Sequence, residues 1–210
     1  MRDPVTSDVS ARGPARWRHP IFALLGVRPV YSEHTSGEDK LLREWACRSL
    51  TIVELGVAEG GSAWSMRLRM PAQARLVLVD PYVPGRLPIV TVKQLVAHRL
   101  VASVPNGSVR WVRQLSWNAG RQYNGSKVDL LFIDADHRYE SVRHDWEAWS
   151  PHIGRKGAVV FHDSRTFQGG WLTDQDGPVR LVEQILAEGL WIEASAVDSA
   201  RVLVRRLDDG

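Results

Sequence analysis

Short apolar runs alternate with longer amphipathic segments along most of the chain. Five runs have strand length and are rich in Val, Ile and Leu, as strands buried on both faces of a parallel sheet are: Thr51–Leu55, Arg75–Asp80, Val109–Val112, Val128–Asp134 and Ala158–His162. Apolar residues at a spacing of three to four predict helices between and after these strands: Ser62–Met70, Pro88–Val104, Tyr139–Trp149 and Pro178–Glu188. The alternation predicts an α/β fold with a Rossmann-like, doubly wound open sheet.

Two more strand-like runs follow the last helix. Leu190–Ala196 and Arg201–Arg206 are joined by the turn-like segment 197–200, which predicts a β-hairpin. The hairpin completes a mostly parallel, seven-stranded sheet with an antiparallel C-terminal strand. Residues 1–18 are rich in Pro, Gly, Ser and Arg, and we predict a flexible N-terminal segment there, with one domain over residues 19–210.

Composition limits the classes of function. The hydrophobic fraction of 44% is enough for a sizeable core, and no apolar stretch approaches the roughly 20 residues of a membrane span. The N-terminus lacks the apolar stretch of a secretory signal, so we expect a cytoplasmic protein that does not bind membranes. The net charge of +3 is dispersed, which disfavours nucleic acid, and the nine tryptophans are interpreted as core or pocket lining. Cys47, the one cysteine, is interpreted as core filler.

A loop of small residues follows the first predicted strand. It reads Glu54-Leu-Gly-Val-Ala-Glu-Gly-Gly-Ser62, and its glycines allow a tight turn and close approach to a ligand at the start of a helix. The second strand ends at Asp80, which is placed to accept hydrogen bonds from ribose hydroxyls. The alternative for Asp80 is a solvated strand end.

The same loop also fits a variant of the dinucleotide fingerprint, Gly56-x-Ala58-x-x-Gly61, so a nicotinamide enzyme is a rival hypothesis. Glu54 argues against it, because a carboxylate is unfavourable near a pyrophosphate but favourable near the ammonium group of a methionine. The Tyr-x-x-x-Lys pair Tyr123 and Lys127 lies in a loop before a strand rather than on a helix, which makes a poor dehydrogenase dyad.

Acidic and histidine residues follow the fourth and fifth strands. The fourth strand runs into Asp134-Ala-Asp136-His137, and the fifth into His162-Asp163. The ends of these strands are expected to meet at the rim of the pocket and to bring three carboxylates and two imidazoles together. Alternatively, Asp136 caps the helix near Tyr139. The other histidines are interpreted as surface or packing residues: His19, His34, His98, His144 and His152.

These motifs together resemble a known family. The segments Glu54–Ser62, Val79-Asp80-Pro81, Ile133–Glu140 and Gly157–Asp163 are similar to those of class I S-adenosylmethionine-dependent methyltransferases, in particular the macrocin and related antibiotic-tailoring O-methyltransferases. Catechol O-methyltransferase is a more distant likeness. The resemblance covers roughly residues 35–206 and does not specify the acceptor.

The resemblance implies roles for individual residues. Those implied to surround the cofactor are Glu54, Gly56, Ala58, Gly60, Ser62, Asp80, Ser116 near the adenine, and Asp134. Asp134 and Asp163 match metal ligands, and His137 matches the catalytic base. Relatives that depend on a metal tend to carry two acids, or an acid and an amide, where this chain has His162-Asp163.

The predicted reaction is methylation of a hydroxyl on a small molecule, and a secondary metabolite is the expected acceptor. Because the sulfonium methyl is already activated, the enzyme must mainly align the nucleophile and remove its proton. A divalent ion, Mg²⁺ or Mn²⁺, held by Asp134, His162 and Asp163 would lower the pKa of the hydroxyl. The alternative is a metal-independent enzyme in which His137 or His162 is the base. The sequence leaves open whether the protein forms a homo-oligomer.

Overall fold

A computed structural model describes residues 34–82, 91–168, 170 and 172–207 of the 210-residue chain, together with the backbone of two short segments near the N-terminus. Those segments, Val5–Thr6 and Val30–Tyr31, pair in parallel with each other. The flexible segment predicted over residues 1–18 otherwise lies outside the described residues, and so does His19. No helix among the described residues is long and apolar enough to cross a membrane.

Seven strands form one sheet, as the alternating pattern predicts. In chain order they are β1 Thr51–Leu55, β2 Arg75–Val79, β3 Ser108–Val112, β4 Val128–Ile133, β5 Ile153–Phe161, β6 Trp191–Val197 and β7 Ala200–Arg205. Their order across the sheet is β3-β2-β1-β4-β5-β7-β6. The first five are parallel, whereas β7 runs antiparallel to both β5 and β6. The fold class and the C-terminal hairpin are therefore confirmed.

Helices cover both faces of this sheet. They are α1 Ser36–Ala46, α2 Gly61–Arg67, α3 Val92–Ala102, α4 Ser116–Arg121, α5 Tyr139–Trp149 and α6 Gly177–Ala187. One buried apolar cluster joins the sheet to α1, α2 and α3, and a second joins its other face to α4, α5 and α6. The strands are hydrophobic on both faces for this reason. The seven tryptophans within the described residues lie in or against the apolar clusters, which confirms their interpretation as core or lining.

Two interpretations of single features need correction. Cys47 is exposed, because it follows α1 as its C-cap and lies beyond the buried face of that helix. Helix α3 ends at Ala102 rather than at Val104, and among the described residues it begins at Val92, where Thr91 caps it by accepting a hydrogen bond from the Gln94 amide. Residues 88–90 of the predicted helix lie outside the described residues.

The order of the strands decides where a ligand can bind. From β1 the chain builds outward to β2 and β3, then returns to add β4 on the other side of β1. This reversal opens a crevice at the carboxyl ends of β1 and β4, the usual binding position in open α/β sheets. The glycine loop follows β1, and Asp134 follows β4.

Candidate active site at the carboxyl ends of the strands

The loop after β1 takes a backbone path that requires small residues. Gly56 and Gly60 have φ values of 83° and 85°, and Ala58 lies between them at 47°. A Cβ atom on Gly56 would overlap the carbonyl group of Asp134, and one on Gly60 would lie 3.0 Å from the Cα of Ala97. The loop thus passes close to the end of β4 and to helix α3, and leaves its backbone facing the crevice.

Asp80 is joined to this loop. One oxygen of its carboxylate accepts hydrogen bonds from the Val57 and Ala58 amides at 2.9 and 3.0 Å, and the other accepts from the Tyr82 amide at 2.7 Å. Asp80 is therefore more than a solvated strand end, because it holds the loop at the end of β2. Its place beside the loop backbone agrees with a ribose-binding role.

Glu54 places a buried carboxylate under the loop. Its side chain is fully buried, and one oxygen accepts a hydrogen bond from the Ser62 hydroxyl. The other oxygen has no hydrogen-bond partner in the part of the chain that the structure describes. Burial, together with the nearby charges of Asp134 and Asp80, raises the pKa of Glu54 well above its usual value. An unpartnered buried carboxyl oxygen is costly, and a cationic ligand group would offset that cost.

Ser116 begins helix α4 and is also buried. Its hydroxyl donates to Asp145, and its carbonyl oxygen accepts a hydrogen bond from the Trp149 indole at 2.9 Å. Burial raises the pKa of Asp145 to about 6. Because the Ser116 hydroxyl donates its proton inside the protein, a contact with an adenine at this position would use the hydroxyl oxygen as an acceptor or the backbone.

The structure brings imidazoles and carboxylates together at the ends of β4 and β5. We call this group the imidazole–carboxylate cluster; its members are His34, Glu38, Asp134, His137, His162 and Asp163. The Nδ1 atom of His162 lies 3.2 Å from Asp134 Oδ1, and His34 Nε2 lies 3.0 Å from Asp134 Oδ2. Burial would raise the pKa of Asp134, but the two imidazoles outweigh burial and hold the pKa below its usual value.

His137 and Asp163 form a second pair in the cluster. The Nε2 atom of His137 lies 2.9 Å from Asp163 Oδ2. The side chain of His137 keeps 36% of its exposure, whereas those of His162 and Asp163 keep 5% and 10%. The hydrogen bond with Asp163 raises the pKa of His137, although burial opposes this. Of the three imidazoles in the cluster, His137 is thus the one that a substrate can reach, and Asp163 orients it.

Glu38 and His34, at the start of α1, were not predicted as site residues. Glu38 forms a capping box with Thr35 and accepts hydrogen bonds from the amide and hydroxyl of Ser199 at 2.9 and 2.6 Å. Its second oxygen lies 3.4 Å from His162 Nε2. Burial opposes ionisation, but the bonds from His162, Ser199 and Thr35 lower the pKa of Glu38 to about 2.

The interpretation of His34 as a surface or packing residue is corrected by its contacts. It is only 4% exposed and bonds to Asp134, a residue 100 positions away in the chain. A signal was available in the sequence, since Thr35-Ser-Gly-Glu38 is a capping-box pattern that places His34 just before a helix. The pattern predicts a helix start, but not which strand end that helix covers.

The remaining candidates lie outside the cluster. Asp136 accepts hydrogen bonds from the Arg138 amide and the Ser141 hydroxyl, both at 3.0 Å. It supports the segment that enters α5, but the alternative that it caps this helix is wrong, because the N-cap is Arg138 and has no side-chain cap bond. The other described histidines, which are His98, His144 and His152, contact Trp111, Trp117 and the Gly120 carbonyl, respectively. These contacts agree with their interpretation as surface or packing residues.

The cluster contains donor atoms for a metal ion, but they are arranged differently from the predicted set. Among the described residues, two groups of three have ligand atoms within 4.8 Å of one another: His34, Asp134 and His162, and His137, His162 and Asp163. Each group combines two imidazoles with one carboxylate, and neither contains both aspartates. Mg²⁺ prefers oxygen ligands in an octahedral arrangement, so this donor set does not suit it.

Comparison with known proteins decides the family. Residues 53–164 match the family model described as a methyltransferase domain, which is more than half of the chain. The chain belongs to this methyltransferase family. The match runs from β1 to just beyond Asp163, and so contains the glycine loop, Asp80 and both strand ends of the cluster. The two cluster residues that precede α1 or lie on it are outside the matched region.

Solved structures share the fold of this methyltransferase over nearly its whole length. A protein from Corynebacterium glutamicum superposes with a TM-score of 0.68 at 15% identity, covering 96% of this chain and 94% of the other. An O-methyltransferase from Bacillus cereus in complex with S-adenosylhomocysteine gives 0.61 at 17% identity, covering 95% and 94%. The O-methyltransferase TomG from Streptomyces achromogenes, in complex with S-adenosylmethionine, gives 0.60 at 17%, covering 96% and 94%.

Relatives found by sequence similarity match smaller parts of the chain. An uncharacterized protein of Acanthamoeba polyphaga mimivirus is 26% identical over 126 residues, which are 57% of this chain and 53% of that protein. One from Sinorhizobium fredii is 34% identical over 62 residues, covering 30% of this chain and 7% of that protein. The methyltransferase thus spans about half the length of the viral relative and a small part of the bacterial one.

Proposed function

We propose that this methyltransferase transfers a methyl group from S-adenosylmethionine to a hydroxyl of a small molecule, with His137 as the general base. The observation that carries the proposal is the pairing of the partly exposed His137 with the buried Asp163 where β4 and β5 end. A base of this kind can remove the proton of an acceptor at the mouth of the crevice. O-methyltransferases with a bound cofactor share the fold, which supports the choice of acceptor atom.

The cofactor site is supported by residues that fit its parts. The unpartnered oxygen of Glu54 suits the ammonium group of the methionine part, and Ser62 holds the other oxygen of that carboxyl. The small residues Gly56, Ala58 and Gly60 let the loop turn tightly against the end of β4 and helix α3, and the ligand would meet the backbone of this loop. The remaining predicted contacts are Asp80 with the ribose, the start of α4 at Ser116 with the adenine, and Asp134 at the methyl-bearing end.

The chemistry divides simply between cofactor and protein. When bound, S-adenosylmethionine supplies a methyl group already activated by its sulfonium. The protein must then align the acceptor oxygen and remove its proton. His137 accepts that proton, and Asp163 holds the imidazole in one orientation and stabilises its charged form. His162 is less suited to this task, because it is buried between Asp134 and Glu38.

The prediction that Mg²⁺ or Mn²⁺ assists the reaction, through Asp134, His162 and Asp163, stays a prediction. Both groups of possible ligands are rich in imidazole, which Mg²⁺ does not favour. The donor atoms therefore support a mechanism without Mg²⁺, with His137 as the base, over one that Mg²⁺ assists. Methyl transfer measured after exhaustive chelation distinguishes the two. Unchanged kcat supports the metal-independent base, whereas loss of kcat that Mg²⁺ restores would support the metal-assisted mechanism.

The experiment that tests the proposal combines binding with activity. Titration calorimetry with S-adenosylhomocysteine and with NAD separates a methyltransferase from a nicotinamide-dependent oxidoreductase. A methyl-transfer screen against aminoglycoside, macrolide, nucleoside and phenolic acceptors then searches for the substrate. TomG is described as taking part in tomaymycin synthesis, which supports secondary metabolites as the first acceptors to screen. Binding of NAD in preference to S-adenosylhomocysteine would contradict the proposal.

A further inference from the structure

Three buried or partly buried carboxylates surround one histidine in the cluster. His162 lies within 3.4 Å of Glu38, 3.2 Å of Asp134 and 3.7 Å of Asp163. Its imidazole is 5% exposed, and the adjacent His34 ring is 4.6 Å away, centroid to centroid, in an edge-on arrangement. Buried carboxylates need compensating positive charge, which a protonated imidazole or a bound cation can supply.

The arrangement of His162 is the one that a metal-binding histidine requires. Glu38 Oε2 lies beside Nε2 of the ring, so the opposite nitrogen, Nδ1, faces Asp134. A carboxylate that holds the far nitrogen of an imidazole fixes its tautomer and raises its strength as a ligand. Glu38 is itself held by Thr35 and Ser199, which makes it a rigid support for the ring.

We propose that His34, Asp134 and His162 form a binding site for a borderline divalent ion such as Zn²⁺, Co²⁺ or Fe²⁺, with Glu38 supporting His162 from behind. The ligand atoms of the three residues lie within 4.8 Å of one another. Two imidazoles and one carboxylate favour ions of this class over Mg²⁺. Asp134 keeps 21% of its side-chain exposure, which gives an ion access from the crevice.

The alternative group, His137 with His162 and Asp163, is less suited to hold the ion. The side chain of His137 is 36% exposed, against 5% for each imidazole of the proposed group. In the alternative group both imidazoles lie nearest the same carboxylate oxygen, Asp163 Oδ2, at 2.9 and 3.7 Å. In the proposed group, by contrast, the two imidazoles contact different oxygens of the Asp134 carboxylate. The inference concerns ion binding alone, so it does not depend on methyl transfer.

Spectroscopic titration of the full chain with Co²⁺ tests this site. After chelation and dialysis, Co²⁺ should bind with one equivalent and give visible d–d absorption, which Zn²⁺ should abolish by displacement and Mg²⁺ should not. Glu38→Gln should weaken Co²⁺ binding by about 10- to 100-fold, as loss of a supporting carboxylate does. His34→Gln should weaken it further, since it removes a ligand while keeping a polar group beside Asp134.

Matched variants decide between the two groups. His144→Gln removes an imidazole that contacts Trp117 outside the cluster, and should leave Co²⁺ affinity unchanged. Circular dichroism and melting curves identify any variant that fails to fold. If either Glu38→Gln or His34→Gln does not fold, the other variant provides the test. The inference is overturned if the wild-type chain binds no Co²⁺, or if affinity falls with His137→Gln but not with His34→Gln. Failure of the methyltransferase proposal would appear separately, as absent binding of S-adenosylhomocysteine.

Discussion

The glycine loop and the imidazole–carboxylate cluster lie at neighbouring strand ends but are built from different material. The loop presents backbone atoms from one short stretch of chain, with Asp80 as its main side-chain support. The cluster consists of side chains from the start of α1 and the ends of β4 and β5, supported by the turn between β6 and β7. Added side chains should therefore disrupt the glycine loop, where the backbone lies close to other parts of the protein. The properties of the cluster should instead depend on the identity and charge of each of its side chains.

The largest effect is expected at the cluster. His137→Ala removes the proposed base, and kcat should fall by about 10²- to 10⁴-fold, while affinity for S-adenosylhomocysteine and the melting temperature change little. Steady-state kinetics measure kcat, and calorimetry measures the affinity for S-adenosylhomocysteine and the melting temperature. His144→Ala, which removes an imidazole from the helix that follows His137, is the control. Retained kcat in His137→Ala with loss in His162→Ala would exchange the roles of the two histidines.

At the loop, Gly60→Val should act on binding instead. A side chain there would be strained at a φ of 85° and would crowd Ala97, so affinity for S-adenosylhomocysteine should fall at least about tenfold, or ~1.4 kcal/mol. Gly189→Val is the matched control, because Gly189 has a φ of 76° but lies after α6. An equal loss of affinity in the two variants would show that backbone strain, and not a change in the cofactor loop, causes the loss.

The pH dependence of kcat sharpens the assignment of the base. His137 must be neutral to accept a proton, and its pKa is raised above 6.5 by the hydrogen bond with Asp163, so kcat should rise with pH through a midpoint above 6.5. Asp163→Asn should lower kcat and move that midpoint downward. Asparagine suits the test because it tolerates the positive φ of 48° at this position. A midpoint unmoved by Asp163→Asn would separate the titrating group from His137.

The same pair predicts a pH effect on folding. A histidine whose pKa is raised by folding stabilises the protein below the unfolded pKa near 6.5, and that contribution is lost as pH rises through the folded value. Between pH 6 and 9 the free energy of unfolding should therefore fall less in Asp163→Asn than in the wild type. The difference should be ~1 kcal/mol or less for a partly exposed pair, and chemical denaturation at each pH measures it. An identical pH dependence in both chains would contradict the contribution of this pair.

The smallest effect is expected for the acid next to the cluster. Asp136 accepts bonds only from Arg138 and Ser141 among the hydrogen bonds of the described structure, so Asp136→Ala should cost about 1 kcal/mol in the free energy of unfolding and leave kcat unchanged. Chemical denaturation and steady-state kinetics measure the two quantities. A fall in kcat comparable to that of His137→Ala would place Asp136 in the catalytic machinery after all.

What the sequence determined by itself is the local part of the molecule. The buried runs at β1 and β4, the small residues at Gly56 and Gly60, and the acid at Asp80 are visible because period, size and spacing act over a few residues. The alternation of strands and helices also predicts a doubly wound, mostly parallel sheet, since right-handed connections between parallel strands restrict the topology. His162 and Asp163 were likewise found from their position at the end of β5.

Only the tertiary structure decided how the cluster is supported. His34 and Glu38 reach Asp134 and His162 across 100 and 124 positions of chain, and Ser199 reaches Glu38 across 161. No local periodicity encodes these distances, because they depend on where helix α1 packs on the finished sheet. The sequence therefore determined which strand ends carry the chemistry, and packing decided that a buried glutamate and a second histidine complete it.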